Sequence, residues 1–380
     1  MGAAELAALR DKFAIVGLGT TPQGSFPEKT GNELAVDAFK LALADAGITK
    51  DEVDGIITCP SFGHQGLDSQ IVPLLGLNPS YSANLDYGTC NFSLHLAAMA
   101  INAGFANTVA IMYGTNQKSS GNRFNQAPAE DPAITAPYGL FNIAGTASMA
   151  LRRHMHEYGT TEEQMAAIAV TFRKHASLNP LAVFKKTITK EEYLESRYIV
   201  KPLHVYDMCV ITDGGSCMIV TSADRARSMA KPPVYLMGMA EQFAPRETQN
   251  DQFLMRPFIQ KVAEKIYPAA GITNADIDAL YIQDPTSVWP LQMLEWYGFC
   301  GIGEGGSFIQ DGRIGLGGEL PLNTNGGQLS ESYMWGWLHI PEAVRQLRGE
   351  AGPRQVPNAE IAQYCSTGGW TRAASTILRR

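Results

Sequence analysis

The sequence has no apolar run that approaches the roughly 20 residues of a membrane-spanning helix. Its first residues, Met1 to Arg10, have neither the long apolar core nor the small-residue cleavage site of a signal peptide. These two absences argue against a membrane protein and against a secreted one. We therefore expect a cytoplasmic protein that does not bind a membrane.

Positive charge is also scarce. The chain has 30 Lys and Arg against 37 Asp and Glu, a formal net charge of −7, and its basic residues form only short clusters such as Lys185-Lys186. Nucleic-acid binding needs a basic stripe that follows the phosphate backbone, so we expect no nucleic-acid partner. A small anionic ligand needs only a few local cations and remains compatible with this composition.

The six cysteines include no Cys-x-x-Cys pair. In a chain of 380 residues this argues against a disulfide framework and against a structural zinc site, so we expect no metal. Hydrophobic residues make up 45% and charged residues 18%, which is ordinary for a globular protein. The length favours two packed halves over one compact core.

Strands and helices alternate near the start of the chain. Residues 13–17 form a short apolar run, residues 34–46 carry apolar side chains at helical spacing, and Gly47 fits the position after a helix end. Residues 53–58 predict the next strand. This alternation predicts an α/β layer with a parallel sheet.

An internal repeat is the most informative feature. Residues 46–56, AGITKDEVDGI, recur as residues 270–280, AGITNADIDAL, and each copy follows an apolar strand that ends in Gly17 or Gly238. Two matches in the same order favour duplication over chance. The polar, proline-terminated segment 221–233 places the boundary, giving halves at 1–228 and 229–380, with a loop insertion at about 115–200 in the first.

Several segments together resemble the thiolase superfamily, and more closely its sterol-carrier-protein-type thiolases and steroid side-chain aldolases. The first two are the small-residue turn 88–90 before a helix and the Asn325-Gly326-Gly327 turn. The other resembling stretches are Tyr138-Gly139, 173–180, Pro202-Leu203, 212–215, 298–300, Gly303-Glu304, 320–327 and 342–349. The resemblance implies duplicated βαβαβ halves in a five-layer α/β/α/β/α sandwich. It also implies a homodimer and an accessory subunit with an OB-fold and a zinc ribbon.

The catalytic positions of that family match only in part. Thiolases carry an activating His in a Gly-His-Pro turn, but here Tyr333 follows the glycine pair at that place. Steroid aldolases of the superfamily resemble this chain in having such a Tyr, which makes Tyr333 the candidate acid/base. His339 lies further on, and we expect it to be a helix residue rather than a displaced base.

The position of the thiolase nucleophile has two candidates. Counting back without a gap from the helix end at 101–104 reaches Tyr87, whereas a three-residue deletion restores Cys90. The ungapped alignment is preferred. A Cys at a helix N-terminus has a lowered pKa and is a good nucleophile, but a buried Cys that only packs a tight turn is an equal alternative.

The second cysteine turn of the family is matched by Cys365-Ser366-Thr367-Gly368-Gly369, in which Thr367 replaces a Gly. Cys365 is the candidate proton donor or acceptor. Backbone amides in the glycine turns are candidates for holding a thioester oxygen. The predicted oxyanion and substrate-binding residues are Thr367, Gly368, Gly369, Asn325, Gly326 and Gly327.

A missing His favours a reaction that needs no activated thiolate. We expect retro-aldol cleavage of a β-hydroxyacyl-CoA with a steroid or aromatic side chain, with Tyr333 as acid/base and Tyr87 or Cys365 assisting. CoA enters as part of the substrate, and no bound cofactor is expected. One alternative is a thiolase that uses Cys90 as nucleophile and Cys365 as acid. The other is a non-catalytic acyl-CoA or lipid carrier.

Overall fold

The computed structural model describes residues 2–61, 65–86, 89–121, 142–244, 255–369 and 371–380. In this part of the chain, nine strands form one continuous sheet and two further strands pair only with each other. The sheet strands are β1 (Phe13–Thr20), β2 (Gly55–Thr58), β3 (Tyr81–Asn84), β4 (Thr108–Thr115), β7 (Gly214–Ser222), β8 (Val234–Phe243), β9 (Ala279–Ile282), β10 (Ile361–Gly368) and β11 (Arg372–Arg379). The separate pair is β5 (Tyr198–Val200) and β6 (Leu203–His204).

The strand order repeats on the two sides of the sheet centre. Going outward, β1, β7, β4 and β2 are neighbours on one side, and β8, β11, β10 and β9 are neighbours on the other. On both sides each of the first three strands is antiparallel to its neighbour within this set, and the fourth strand is parallel to the third. The two runs join where β1 and β8 pair through Ala14 and Ile15. This symmetry supports a duplication, and the boundary at 228 and 229 stays a prediction.

The expected parallel sheet is wrong in one respect. Within each run only the outer neighbours are parallel, because β7 and β11 return antiparallel between the parallel strands and the centre. Local strand and helix signals do not carry this information, since an antiparallel return strand has the same apolar pattern as a parallel one.

Helices cover both faces of the sheet. The longer ones in the described residues are α2 (Gly31–Ala46), α3 (Asp68–Leu75), α4 (Cys90–Asn102), α5 (Ile143–Tyr158), α6 (Glu162–Ser177), α9 (Arg256–Ala270), α10 (Val288–Trp296) and α13 (His339–Arg348). The shorter ones are α1 (Ala3–Ala7), α7 (Lys190–Leu194), α8 (Ala223–Ala226), α11 (Gly305–Phe308) and α12 (Gly327–Ser330). None of the helices in these ranges is long and apolar enough to cross a membrane.

Three hydrophobic clusters confirm the predicted five layers. One joins α2 and α3 to the outer face of the first run of strands, and it includes Val16 and Ile219. The middle cluster lies between the two runs and contains residues of α4 and α13, such as Leu94 and Val344. The third joins the second run to α9 and α10. Side chains that alternate along each strand therefore enter different layers.

The repeated sequence has a packing reason. A Cβ at Gly17 would lie 2.5 Å from the Ala42 oxygen and 2.8 Å from the Ala46 Cβ, so α2 approaches β1 only because Gly17 has no side chain. In the second half, a Cβ at Gly238 would lie 3.1 Å from the Ala270 Cβ. Each helix then ends on a left-handed glycine. The Gly and Ala-Gly positions that match between the two halves therefore correspond to the same helix–strand contact in each half.

The insertion predicted at about 115–200 is mostly helical in its described part. It contains α5 and α6, each of 16 residues, followed by α7 and β5. Thr161 caps α6 by accepting a hydrogen bond from the Gln164 amide at 3.3 Å. Helix α6 packs against α12, next to the Asn325-Gly326-Gly327 turn. The insertion therefore supports the candidate site from one side.

Candidate active site

The start of α4 is fixed against the end of β10. Thr89 precedes the helix, and its hydroxyl lies 3.0 Å from the Ser366 hydroxyl instead of capping the helix. The Asn91 side chain donates to the Ser366 hydroxyl at 2.8 Å and to the backbone oxygens of Tyr364 and Ala374 at 3.2 Å. These buried bonds set the position of Cys90, the first residue of α4.

Cys90 is a buried thiol in an apolar cluster with Cys59 and Tyr113. Burial raises the pKa of Cys90 well above its ordinary value, and the Cys59 thiol raises it further. The sequence had suggested that the helix N-terminus lowers this pKa. The structure reverses that expectation because desolvation of the thiolate dominates. Burial therefore favours the protonated thiol at Cys90.

None of the described histidines forms a hydrogen bond with Cys90. Of the seven in the sequence, His64 lies outside the described residues and His156 is exposed. The buried ones bond to other groups through at least one ring nitrogen: His95 to Glu241 and Thr376, His154 to Thr160 and Glu295, His175 to Asn323 and Leu316, His204 to Ser196 and Glu162, and His339 to Asp284. No Cys–His pair of the thiolase kind is present among the described residues.

Cys365 does not face Cys90. Successive side chains of β10 alternate, so Tyr364 and Ser366 enter the middle layer while Cys365 enters the outer cluster with α9 and α10. Its sulfur lies 3.6 Å from the Ser375 hydroxyl. Burial raises the pKa of Cys365 to about 12. The acid role predicted for Cys365 does not fit this placement, and Ser366 is the β10 side chain that reaches the start of α4.

The predicted oxyanion turn is already bonded within the chain. The Thr367 amide donates to the Gln283 side chain at 2.8 Å, and the Thr367 hydroxyl accepts from the Trp289 indole at 3.3 Å. A Cβ at Gly368 would lie 2.4 Å from the Arg372 Nε, and Gly369 has a φ of 60°. The turn needs these glycines for packing and backbone shape, and the Thr367 amide does not point at open space.

The Asn325-Gly326-Gly327 turn is buried as well. Asn325 donates from its side chain to Glu331, and its backbone oxygen accepts from Asn179 at 2.9 Å. A Cβ at Gly326 would lie 2.5 Å from Ala176 of α6, and one at Gly327 would lie 2.2 Å from the Asp284 carboxylate. These glycines allow the turn to pack on α6 and on Asp284. Direct substrate contact by them stays a prediction.

Tyr333 opens a strained turn. Met334, Trp335 and Gly336 have φ of 29°, 46° and 79°, so two consecutive non-glycine residues adopt the left-handed region. The Tyr333 amide donates to the Val210 oxygen at 2.9 Å. Its ring stacks on Trp335 with centroids 6.3 Å apart, and the side chain is 6% exposed. Backbone strain of this kind persists only where the surroundings fix it, as they do at functional sites.

The Tyr333 turn and the start of α4 meet in the middle layer. Met334 and Trp337 belong to the same apolar cluster as Cys90, and the Trp337 ring stacks on Tyr113 with centroids 5.8 Å apart. The structure therefore brings the turn that follows Tyr333 to the same cluster as Cys90 and leaves Cys365 on the other side of β10. Tyr87 and Tyr138-Gly139 lie outside the described residues.

Sequence reasoning missed the polar groups beneath this turn. His339 is the first residue of α13, as a helix residue was expected to be, but its Nε2 bonds to Asp284 at 3.0 Å. Tyr364 is fully buried beside it, with ring centroids 5.2 Å apart. Burial raises the pKa of Tyr364 well above its ordinary value. Tyr364 could have been proposed from the sequence, because it is the neighbour of Cys365. The sequence did not show which of these two side chains of β10 faces the site.

Comparison with known proteins supplies the family. The Thiolase C-terminal domain-like family model matches residues 243–380. A steroid side-chain-cleaving aldolase from Thermomonospora curvata is 34% identical over 94% of this chain and 96% of its own length. The chain belongs to the thiolase superfamily. The predicted family is therefore confirmed, including its branch of steroid side-chain aldolases and sterol-carrier-protein-type thiolases.

Two further members of this superfamily are similar over nearly the whole chain. The 17-hydroxy-3-oxo-4-pregnene-20-carboxyl-CoA lyase of Mycobacterium tuberculosis is 36% identical over 90% of this chain and 92% of its own. Among solved structures, the Ltp2-ChsH2(DUF35) aldolase superposes with a TM-score of 0.87 at 32% identity, covering 98% of both chains. The predicted thiolase-like fold is confirmed.

Proposed function

We propose that this thiolase-superfamily enzyme cleaves the Cα–Cβ bond of a β-hydroxyacyl-CoA by a retro-aldol reaction. The products are a shorter acyl-CoA and a ketone or aldehyde. The aldolase and the CoA lyase that are 34% and 36% identical support both the class of reaction and the acyl-CoA substrate. Their names also favour a steroid side chain over an aromatic one, and CoA is part of the substrate instead of a bound cofactor.

The state of Cys90 is the observation that carries this proposal. Thiolase chemistry requires a thiolate nucleophile and a base that forms it. Here the thiol is fully buried, its pKa is raised by burial, and it makes no hydrogen bond to any described side chain. The family resemblance puts Tyr333 at the position of the thiolase His, and the turn that follows it packs into the same layer as Cys90.

A retro-aldol reaction makes no use of a thiolate. A base removes the proton of the β-hydroxyl, the oxygen forms a carbonyl with Cβ, and the electron pair of the Cα–Cβ bond moves into the thioester enolate. The enolate then takes a proton at Cα. One proton therefore moves from oxygen to carbon, with no net gain or loss. Tyr333, poised on the strained turn, is the residue we assign to the removal of the hydroxyl proton.

The Tyr333→Phe variant tests this assignment, because it keeps the ring and removes only the hydroxyl. We expect cleavage to slow by roughly 10²-fold or more, the usual size of an acid/base contribution, with little change in binding. Products are analysed with and without free CoA. Tyr297→Phe is the matched control, because it removes another buried hydroxyl on the outer side of the sheet.

Two outcomes would refute the proposal and support a different function. Strict dependence on free CoA, with two acyl-CoA products from a β-ketoacyl-CoA, would establish a thiolase. Tight acyl-CoA binding without product from either substrate class would establish a carrier.

The assembly is also part of the proposal. The name of the solved relative, Ltp2-ChsH2(DUF35) aldolase, includes a DUF35 component. This supports an accessory subunit for the present chain, and the family resemblance predicts that the chain itself is a homodimer. A cytoplasmic location stays a prediction.

A further inference from the structure

Asp284 is a fully buried carboxylate that contacts both ends of the segment that carries Tyr333. At the start of this segment, in α12, it accepts from the backbone amides of Gln328 at 2.9 Å and Leu329 at 3.2 Å. At the end of the segment, its Oδ1 lies 3.0 Å from the Nε2 of His339, the first residue of α13. One side chain therefore fixes the chain before and after Tyr333.

The Gln328 side chain connects Asp284 directly to Tyr333. The Asp284 backbone amide only donates and the Tyr333 backbone oxygen only accepts, which determines the orientation of the Gln328 amide between them. Its oxygen accepts from the Asp284 amide at 2.9 Å, and its nitrogen donates to the Tyr333 oxygen at 2.8 Å. On the other side, the Tyr333 amide donates to the Val210 oxygen at 2.9 Å. The backbone of Tyr333 is thus held through both its amide and its carbonyl.

The segment depends on such bonds because its backbone is strained. Met334 and Trp335, directly after Tyr333, have φ of 29° and 46°, which non-glycine residues adopt only at a cost in free energy. A turn of this kind keeps its shape only where its surroundings fix that shape. Gly327 allows the close approach that the bonds to Asp284 require, since a Cβ there would lie 2.2 Å from the carboxylate.

We propose that Gln328 and Asp284 are positioning residues, which hold the Tyr333 hydroxyl where it can take the proton of the β-hydroxyl of the substrate. Neither one touches the reacting atoms in this mechanism, and each acts through the backbone of Tyr333. Proton transfer needs the two oxygens at hydrogen-bond distance, so a displacement of about 1 Å at Tyr333 can slow it by roughly 10²-fold. This inference rests on the proposed function and deepens it.

The Gln328→Met variant tests the direct connection. Met keeps the length of the side chain but has no amide to bridge the Asp284 amide and the Tyr333 oxygen. We expect kcat for cleavage of a β-hydroxyacyl-CoA to fall roughly tenfold or more, with KM nearly unchanged, because proton transfer is impaired and substrate binding is not. The rate is expressed per folded enzyme, and denaturant unfolding measures the folded fraction.

The same substitution in the Tyr333→Phe background separates positioning from stability. Without the Tyr333 hydroxyl there is nothing left to position, so Gln328→Met should cause no further loss of kcat in that background. A merely structural role would lower the rate by the same factor in both backgrounds.

Asp284→Asn is the second variant, and it guards against a folding failure of the first. It keeps the shape of the side chain but replaces one carboxylate oxygen with an NH2 group, which cannot accept from the amides of Gln328 and Leu329. Its kcat should show the same pattern, with a loss in the presence of the Tyr333 hydroxyl and no further loss in the Tyr333→Phe background.

Gln363→Met is the matched control. Gln363 is also buried and bonded at both ends of its amide, to the Tyr267 hydroxyl at 3.1 Å and the Ser375 hydroxyl at 3.0 Å. Because side chains alternate along β10, it lies on the same face as Cys365, away from the Tyr333 turn. This variant should lose stability and keep the wild-type kcat per folded enzyme.

The possible outcomes separate this inference from the proposed function. An equal loss of kcat with and without the Tyr333 hydroxyl, or no loss in either variant, refutes the positioning role and leaves the retro-aldolase standing. Cleavage that Tyr333→Phe does not slow refutes the role of Tyr333, and the positioning role with it. A wild-type enzyme that cleaves no β-hydroxyacyl-CoA refutes the proposed function itself.

Discussion

Glu331 gives a quantitative prediction about pH and stability. It lies two residues before Tyr333, fully inside the protein, where its carboxylate accepts from Asn179 at 2.9 Å and from Asn325. Burial raises the pKa of Glu331 to about 7, and the second buried carboxylate, Glu342, contributes to the shift. Glu342 has its own cation, Arg354, at 2.9 Å.

The direction in which stability changes with pH follows from the linkage between protonation and folding. The pKa of Glu331 is higher in the folded state, about 7, than its ordinary value of 4.5, so the folded state holds this proton more tightly. The stability that this provides is complete below about pH 4.5 and is lost as the pH rises through about 7. With about 1.4 kcal/mol per pKa unit, the loss between about pH 4.5 and about pH 8 is roughly 3 kcal/mol.

The Glu331→Gln variant removes this titration. Its free energy of unfolding, relative to that of wild type, should therefore rise by roughly 3 kcal/mol between about pH 4.5 and about pH 8. Any constant cost of the altered bonds to Asn179 and Asn325 cancels in this difference. Denaturant unfolding at both pH values measures it. Glu360→Gln, at an exposed ion pair with Arg380, is the control and should show no such rise.

A difference that stays the same at both pH values would refute the reasoning. It would mean that the two Asn donors keep Glu331 ionised at all pH values, in spite of its burial.

Two further predictions concern Cys90 and the assembly. Cys90→Ala should keep most of the cleavage activity, because no acyl-enzyme forms on a buried, protonated thiol; loss of all turnover together with an acyl adduct trapped on wild-type Cys90 would overturn this. Light scattering should give the mass of a homodimer, and activity should increase on addition of a DUF35-type partner; a stable monomer that is fully active alone would contradict both parts.

The fold was predictable because its strongest signals are local and repeated. The matched Gly and Ala-Gly positions of the two halves correspond to real contacts, at Gly17 against Ala46 and at Gly238 against Ala270. The antiparallel returns β7 and β11 were not predictable, since strand direction depends on long-range connections. Helices α5 and α6 of the insertion each begin at a local capping residue, Asn142 and Thr161.

The site was harder to predict, because a motif gives residue types but not the direction of side chains. Cys365 matched a family turn, yet the alternation along β10 sends its sulfur to the outer layer and places Tyr364 and Ser366 in the middle one. The charge state of Cys90 was also misjudged from its position alone. A helix N-terminus favours the thiolate, but full burial among apolar side chains outweighs it.

The arrangement of proton-carrying groups explains why the fold suits one reaction better than another. No described residue supplies a base to the buried Cys90 thiol, and this disfavours the acyl transfer of a thiolase at that position. The described site instead collects phenols and one imidazole around a strained turn, with Asp284 holding both the ring of His339 and, through Gln328, the backbone of Tyr333. Such groups move protons between oxygen atoms without forming a covalent bond to the substrate. Retro-aldol cleavage requires this kind of transfer and returns the proton to carbon, which is why the loss of the thiolase His is compatible with an active enzyme.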